Sequence, residues 1–148
     1  MTKYVLDTSI LVAAFRNPAA AEQLAAFYLA FLPATYLHAI VVQELLVGAV
    51  SALRSRDLYQ GYVEPFEKRE RVLTPSYAAW RRSGEVMAAL VQRRRLSAGG
   101  FSRSFVNDVL LAVSCREAGA VLITTNTTDF ARIRTVEAFR FVEPWPKP

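Results

Sequence analysis

Lys3-Tyr4-Val5-Leu6-Asp7-Thr8-Ser9 is the stretch on which the fold turns. Tyr4 to Leu6 form an apolar run without alternation, as expected of a short strand buried on both faces. The strand, read as Lys3 to Asp7, stops on a carboxylate, and a helix starts at once around Thr8 to Ser9. Working outward, the same reading recurs. Tyr36 to Ile40, Arg71 to Leu73, Ala120 to Thr124 and Phe139 to Val142 are further short strand candidates, and helical segments separate them. Strands alternating with helices predict an α/β fold whose parallel sheet is covered on both faces.

The helical segments carry their own signals. Pro18 suits the first turn of a helix running to about Phe31. Val41 to about Leu53 reads as a helix with apolar positions at Val41, Val42, Leu45, Leu46, Ala49 and Leu53, and a mixed helix covers Ser55 to Lys68. The clearest amphipathic helix sets Tyr77, Trp80, Gly84, Met87 and Val91 on one face and Arg81, Arg82, Glu85 and Gln92 off it. It ends in Arg93-Arg94-Arg95, and Ser97 to Ser102 is a loop. A nearly all-apolar helix runs from about Ser104 to Ala118 with Gly119 as its cap. A short helix is expected around Asp129 to Ile133. A single domain over residues 1–143 is followed by the tail Pro144-Trp145-Pro146-Lys147-Pro148, too rich in proline for regular structure.

At 148 residues the chain is long enough to bury a sizeable core in one domain. The apolar stretch Pro18 to Leu37 is interrupted by Glu22, Gln23 and Pro33, and Val106 to Val113 is too short to span a bilayer. No signal-peptide pattern opens the chain, and Cys115 is alone, so a reducing cytoplasm is expected and no internal disulfide. The net charge is +5, and all but Lys3, Lys68 and Lys147 of the basic residues are arginine, whose planar fork suits phosphate. A basic surface around an acidic cluster suits a metal-dependent enzyme acting on nucleic acid; charge alone fits simple solubility equally well.

Four carboxylates stand in apolar surroundings. Asp7 ends its strand, Glu44 sits between Val41-Val42-Gln43 and Leu45-Leu46-Val47, Asp108 lies within Val106 to Val113, and Asp129 follows Val121 to Thr128. Burying an ionised carboxylate is costly without compensation, and a divalent cation with oxygen ligands answers all four at once. Each acid also falls near an expected strand end or the first turn of an expected helix, where segments of an open α/β sheet meet in one cleft. On a helical wheel Glu44 points away from the apolar stripe, with Gly48 one turn on leaving room beside it. Each residue alone has a plainer reading: Asp7 as a helix cap, Glu44 as a solvated helix residue, Asp108 and Asp129 as acids at helix N-termini. Thr8, Ser9, Thr125 and Asn126 are individually ordinary turn residues. The functional case rests on the set and its order.

That order resembles the PIN-domain ribonucleases, especially the toxin subunits of VapBC toxin–antitoxin pairs. The matching segments are Val5-Leu6-Asp7-Thr8-Ser9, Gln43-Glu44-Leu45-Leu46-Val47-Gly48, Asn107-Asp108-Val109-Leu110-Leu111-Ala112, and Leu122 through Phe130. The resemblance implies a three-layer α/β/α fold with a central parallel sheet and Mg²⁺- or Mn²⁺-dependent cleavage of RNA. By match, Asp7, Glu44 and Asp108 are the catalytic and metal-binding acids, with Asp129 as a further metal residue and Thr8, Ser9 and Asn126 orienting ligands. The chain departs from the pattern at Asn126, where many relatives carry an aspartate, so one and two metal ions both stay open.

In the mechanism these residue types allow, a carboxylate accepts a proton from a water acidified by the cation. The hydroxide attacks phosphorus in line while nearby arginines help hold the developing charge. His38 is the lone histidine, lies in an apolar strand and reads as structural. Arg93, Arg94, Arg95 and Arg103 flank the Gly99-Gly100 loop and read either as RNA-backbone contacts or as a solvated charge run. The resemblance also implies a cognate VapB-like antitoxin. The apolar faces of the early helices, including Phe27, Phe31 and Leu53, are expected to be covered by a homodimer and by an antitoxin segment, with an antitoxin arginine reaching the acids. Two alternatives stand beside this reading: a PIN nuclease of RNA processing without an antitoxin, and a non-catalytic RNA-binding module.

Overall fold

The computed structural model describes residues 1–93 and 99–147. The strands are β1 (Lys3–Leu6), β2 (Thr35–His38), β3 (Val72–Leu73), β4 (Ala120–Ile123) and β5 (Arg140–Val142). The helices are α1 (Thr8–Arg16), α2 (Pro18–Phe31), α3 (Ala39–Gly48), α4 (Ala52–Leu58), α5 (Glu64–Lys68), α6 (Tyr77–Gln92), α7 (Arg103–Ala118) and α8 (Thr127–Arg134). A 3₁₀ turn at Leu32–Ala34 leads into β2, and a π turn at Tyr59–Val63 joins α4 to α5.

All strand pairs are parallel, in the order β3-β2-β1-β4-β5. The chain steps outward from β1 to β2 and β3, then crosses back to β4 and steps the other way to β5. Right-handed crossovers therefore place α1 to α5 on one face and α6 to α8 on the other. The packing agrees: α1 lies against α2 and α3, and α7 lies between α6 and α8. The result is the expected three-layer α/β/α architecture. The order reverses between β1 and β4, which opens a crevice at their carboxyl ends.

Local chemistry explains most boundaries. Asn17 caps α2 by accepting from the Ala19 N–H at 2.8 Å, with Pro18 in the first turn. Ser102 caps α7, and Gly119 ends it in the left-handed region at φ 65°, where a side chain would be strained. The centre of α7 is buried almost all round, from Asp108 to Cys115, which accounts for its lack of amphipathic pattern.

Three boundaries differ from expectation. β2 ends at His38 rather than Ile40, because the His38 ring accepts from the Ile40 N–H at 3.1 Å and caps a helix that begins at Ala39. The expected helix from Val41 to Leu53 stops at Gly48; the chain turns out at Ala49, and Ser51 caps the new helix α4 by accepting from the Arg54 N–H. Glycine is a weak helix former and serine a strong cap, so the break sits between them. The mixed helix over Ser55 to Lys68 is α4, the π turn and α5 in series. Pro65, in the first turn of α5, has no N–H to continue the α-helical ladder, and the wider π turn precedes it.

The amphipathic face of α6 also differs. The buried side chains are Ala79, Ser83, Val86 and Leu90, while Tyr77 is 80% and Trp80 58% exposed. The small Ala79 and Ser83 on this buried face let α6 approach α7 closely; Tyr77 and Trp80 lie on the outside. The tail is irregular as expected, yet Trp145 stacks on Phe27 with ring centroids 5.0 Å apart. Phe27 also packs against Tyr4 and Phe31. Phe27 is therefore covered within the chain; Phe31, stacked on it, is half-buried, and Leu53, at 60% exposed, remains open.

Candidate acidic active site

The crevice between β1 and β4 collects the acids. Asp7 follows β1 directly, and its backbone N–H bonds to the Ile123 carbonyl of β4. Asp108 comes down from the second turn of α7 and Glu44 from the second turn of α3; neither is in the first turn. Asp129 lies in the first turn of α8, which begins two residues before it at Thr127. Asp7 and Asp108 are each only 5% exposed. Glu44 and Asp129 are half-buried at the rim.

Hydroxyls and amides hold these carboxylates in place. Asp7 accepts from the Thr8 N–H at 2.8 Å, from Thr124 Oγ1 at 2.7 Å and from Ser9 Oγ at 3.3 Å. Asp7 is thus the cap of α1, as its plainer reading had it, but two side chains from beyond the cap also grip it. Thr8 Oγ1 donates to Glu44 at 2.7 Å, and Asn107 Nδ2 approaches the other oxygen of Glu44 at 3.5 Å. Asn126 Nδ2 donates to Asp108 at 3.2 Å and to Asp129 at 3.3 Å. Thr8, Ser9 and Asn126 thus each hydrogen-bond to at least one of the acids.

Two further residues belong to the cluster. Thr124 is fully buried; it donates to Asp7 and accepts from the Asn126 N–H at 2.9 Å. Asn107 reaches Glu44. Both lie inside the quoted sequence segments, Asn107 next to Asp108 and Thr124 at the carboxyl end of its expected strand, but a polar residue at a strand end or a helix turn announces its partner only once the strands are paired.

Electrostatics tie the acids to one volume. Burial pushes the Asp108 carboxyl up to about 8, and Asp7, Glu44 and Asp129 each push it further in the same direction. Asp7 is also raised, mainly by burial and to a lesser degree by Glu44, against the bonds from Thr124, Thr8 and Ser9. Among the described residues, no basic side chain forms an ion pair with Asp7, Glu44 or Asp108; Asp129 has only Arg132, one turn on, at 3.8 Å. Mutual repulsion without a cationic partner is the state that a divalent cation relieves, and carboxylate with amide and hydroxyl oxygen is the donor chemistry of Mg²⁺ and Mn²⁺.

Among the described residues, no three acidic, histidine or cysteine side chains close into a ready-made ligand shell. An ion bound among these acids would complete its shell with water, as Mg²⁺ commonly does.

The arginines divide. Arg103 opens α7 and lines a cleft beside Glu44. Arg93 donates to the Thr135 carbonyl at 3.1 Å, past the far end of α8 and so roughly 13 Å along that helix from Asn126. The structure does not bring Arg93 to the acids. Arg94 and Arg95 lie outside the described residues. His38 is fully buried with no path to the cluster chemistry: its Nδ1 caps α3, and its Nε2 lies 2.7 Å from Ser114 Oγ. Its structural reading stands. Gly48 lines the same cleft as Glu44, and a Cβ there would meet nothing within 4 Å, so the room expected beside Glu44 is present.

A model of the PIN domain family matches residues 4–136. No curated protein sequence matches the chain. Among solved structures, the DNA-bound VapBC of Salmonella typhimurium is similar at a TM-score of 0.72 and 23% identity, covering 97% of this chain and 98% of that one. VapBC-1 of nontypeable Haemophilus influenzae is similar at 0.70 and 24% identity, covering 96% and 98%. FitAcB of Neisseria gonorrhoeae is similar at 0.70 and 18% identity, covering 97% and 99%. At these identities the likeness is one of fold.

Proposed function

The chain belongs to the PIN domain family, and we propose that it is a Mg²⁺- or Mn²⁺-dependent endoribonuclease, the toxin of a VapBC-type pair. The observation that carries this reading is the convergence of Asp7, Glu44, Asp108 and Asp129 on one crevice, where three of them have no ion-pair partner among the described residues.

Asp7, Asp108 and Glu44 would hold the cation, with Asp129 acting through water. When bound, the cation supplies an acidified water and a counter-charge for the phosphate oxygens. The protein's own part is to fix the acids. Thr124 and Ser9 hold one oxygen of Asp7 and the Thr8 N–H the other, so its orientation is set before substrate arrives. Thr8 holds one oxygen of Glu44, leaving the other, only weakly engaged by Asn107, placed at the cleft to accept a proton from the attacking water. Asn126 keeps Asp108 and Asp129 turned toward each other. The positive net charge draws the RNA chain toward this acidic site.

The toxin part of the proposal has two supports. The similar folds include toxin–antitoxin complexes from several bacteria. The chain also exposes Leu29, Val47 and Leu53 on its early helices and Val50 between α3 and α4, and a groove of about 760 Å³ runs past Val42, Leu46, Tyr59 and Val63, with Glu67 and Glu70 at its side. A VapB-like antitoxin segment laid in that groove lies beside α3, the helix that carries Glu44, and an arginine on it would compete with the cation for the acids. A homodimer is expected to cover part of the remaining apolar surface.

Incubating the purified chain with RNA tests the activity. Cleavage should appear with Mn²⁺, vanish with EDTA, and be lost in folded Asp7→Asn, Glu44→Gln and Asp108→Asn variants. Cleavage that persists at full rate in EDTA would refute the proposal.

A further inference from the structure

The cleft beside Glu44 is larger than a cation and its waters require. It encloses about 340 Å³ between α3 and the start of α7. Gln43, Val47 and Gly48 form one wall; Arg103, Ser104 and Asn107 form the other; Glu44 closes the end toward the acids. An RNA strand whose phosphate sits at the acids must send a neighbouring nucleotide somewhere within one residue's reach, and this cleft adjoins the acids directly.

Its lining is mostly apolar surface punctuated by the polar ends of Gln43, Asn107 and Arg103, a mixture that suits a nucleotide. Val47, 67% exposed, offers apolar surface against which a base can lie. The exposed Gln43 amide presents a donor and an acceptor together, the pattern that reads the edge of a nucleobase. Asn107 turns its Nδ2 toward Glu44, which leaves Oδ1 as an acceptor for a base amino group. Arg103 supplies the planar cation that suits a phosphate. Gly48 keeps the far end open, because no Cβ narrows it.

We propose that this cleft is a nucleotide subsite that selects the base flanking the cut, with Gln43 as its reader and Arg103 as its phosphate contact. The inference rests on the ribonuclease reading above, and it adds that sequence preference resides on α3 beside the acids.

The test is cleavage of a fully randomised RNA oligonucleotide pool by the purified chain with Mn²⁺, the products being sequenced. The wild type should show a base preference at one position next to the cut. Gln43→Leu, a change at an exposed site, should flatten that preference by roughly tenfold, the discrimination one amide–base pair supplies. Arg103→Gln should instead slow cleavage of all sequences alike and reduce the slope of log rate against log salt by about one. A Gln43→Leu product pattern that superimposes on the wild-type pattern would overturn the subsite and leave the nuclease intact. Uniform loss of cleavage across all sequences in folded Gln43→Leu would overturn it too, since a base reader alters choice rather than chemistry. No cleavage of any sequence by the wild type would overturn the ribonuclease reading, and the subsite with it.

Discussion

Single side chains here are pulled in opposite directions by pH. Asp108 has its carboxyl raised from an ordinary 3.8 to about 8 by burial and by its acidic neighbours. A native pKa above the unfolded value means that the native state binds the extra proton, so this stability is complete below 3.8 and is lost as pH rises through 8. Without metal, Asp108→Asn should therefore be more stable than wild type at pH 8, by a few kcal/mol at about 1.4 kcal/mol per pH unit, although the proposed mechanism has it inactive. Urea unfolding in EDTA measures this, and an unchanged or lowered midpoint would contradict the buried, uncompensated carboxyl.

His38 behaves in the opposite sense. Burial lowers it from 6.5 to about 4, so its contribution is present above 6.5 and is lost as pH falls through 4. Because a backbone N–H can only donate, Nδ1 is the bare nitrogen and Nε2 donates to Ser114. His38→Ala removes the cap of α3, strands Ser114 and opens a cavity, together roughly 2–4 kcal/mol. Thermal unfolding should drop accordingly, while cleavage by the folded fraction stays close to wild type. At this scale the sequence exposed the acids, because carboxylates in apolar runs need a reason. It hid Thr124 and the grip on Asp7, because a threonine at the end of a buried strand looks the same whether or not an acid faces it.

Elements were legible where one signal dominated. The unbroken apolar runs of β1 and β4 could hardly be anything but buried strands, and Gly119 marked the end of α7. Two signals competed in α3, where an apolar period continued past Gly48 but a glycine and a capping serine ended the helix. In α6 both the Tyr77/Trp80 row and the Ala79/Ser83 row satisfy helical spacing; size favoured the first, and close approach to α7 selected the second.

Helix α6 is also tied to α7 and to the turn before β5 through Glu137, 1% exposed, which accepts from Arg82 Nε at 3.0 Å and pairs with Arg116. Glu137→Ala should cost about 1–3 kcal/mol, less than the loss of a fully buried pair, because both arginines are part-exposed and can return to water. The site on the opposite side of these ties should keep its activity in the folded protein. A loss of cleavage without a loss of stability would mean that Glu137 reaches the acids through the sheet.

Across the whole molecule, the parallel sheet sets the chemistry. Placing β1 beside β4 brings Asp7 against Thr124 and carries α7 and α8 to the same crevice. The order of the acids along the chain revealed this arrangement before any contact could be seen. Partners were less legible, since Phe27 is covered by Trp145 from the tail, a contact that apolar composition cannot disclose. The exposed residues on α2, α3 and α4 remain, and sedimentation of the purified chain is expected to give a dimer; a strict monomer would favour the reading without an antitoxin.

The central claim is that the four acids form one cation site, and titration calorimetry of Mn²⁺ into the purified chain at pH 7 tests it most directly. With Asp108 raised to about 8, its carboxyl is largely protonated at that pH, so binding should release protons, read from the difference between two buffers of unlike ionisation enthalpy. Saturable binding with that release, absent from the Asp7→Asn/Asp108→Asn double variant, is the result the account predicts. Failure of the wild type to bind Mn²⁺, or equal binding by the double variant, would contradict it.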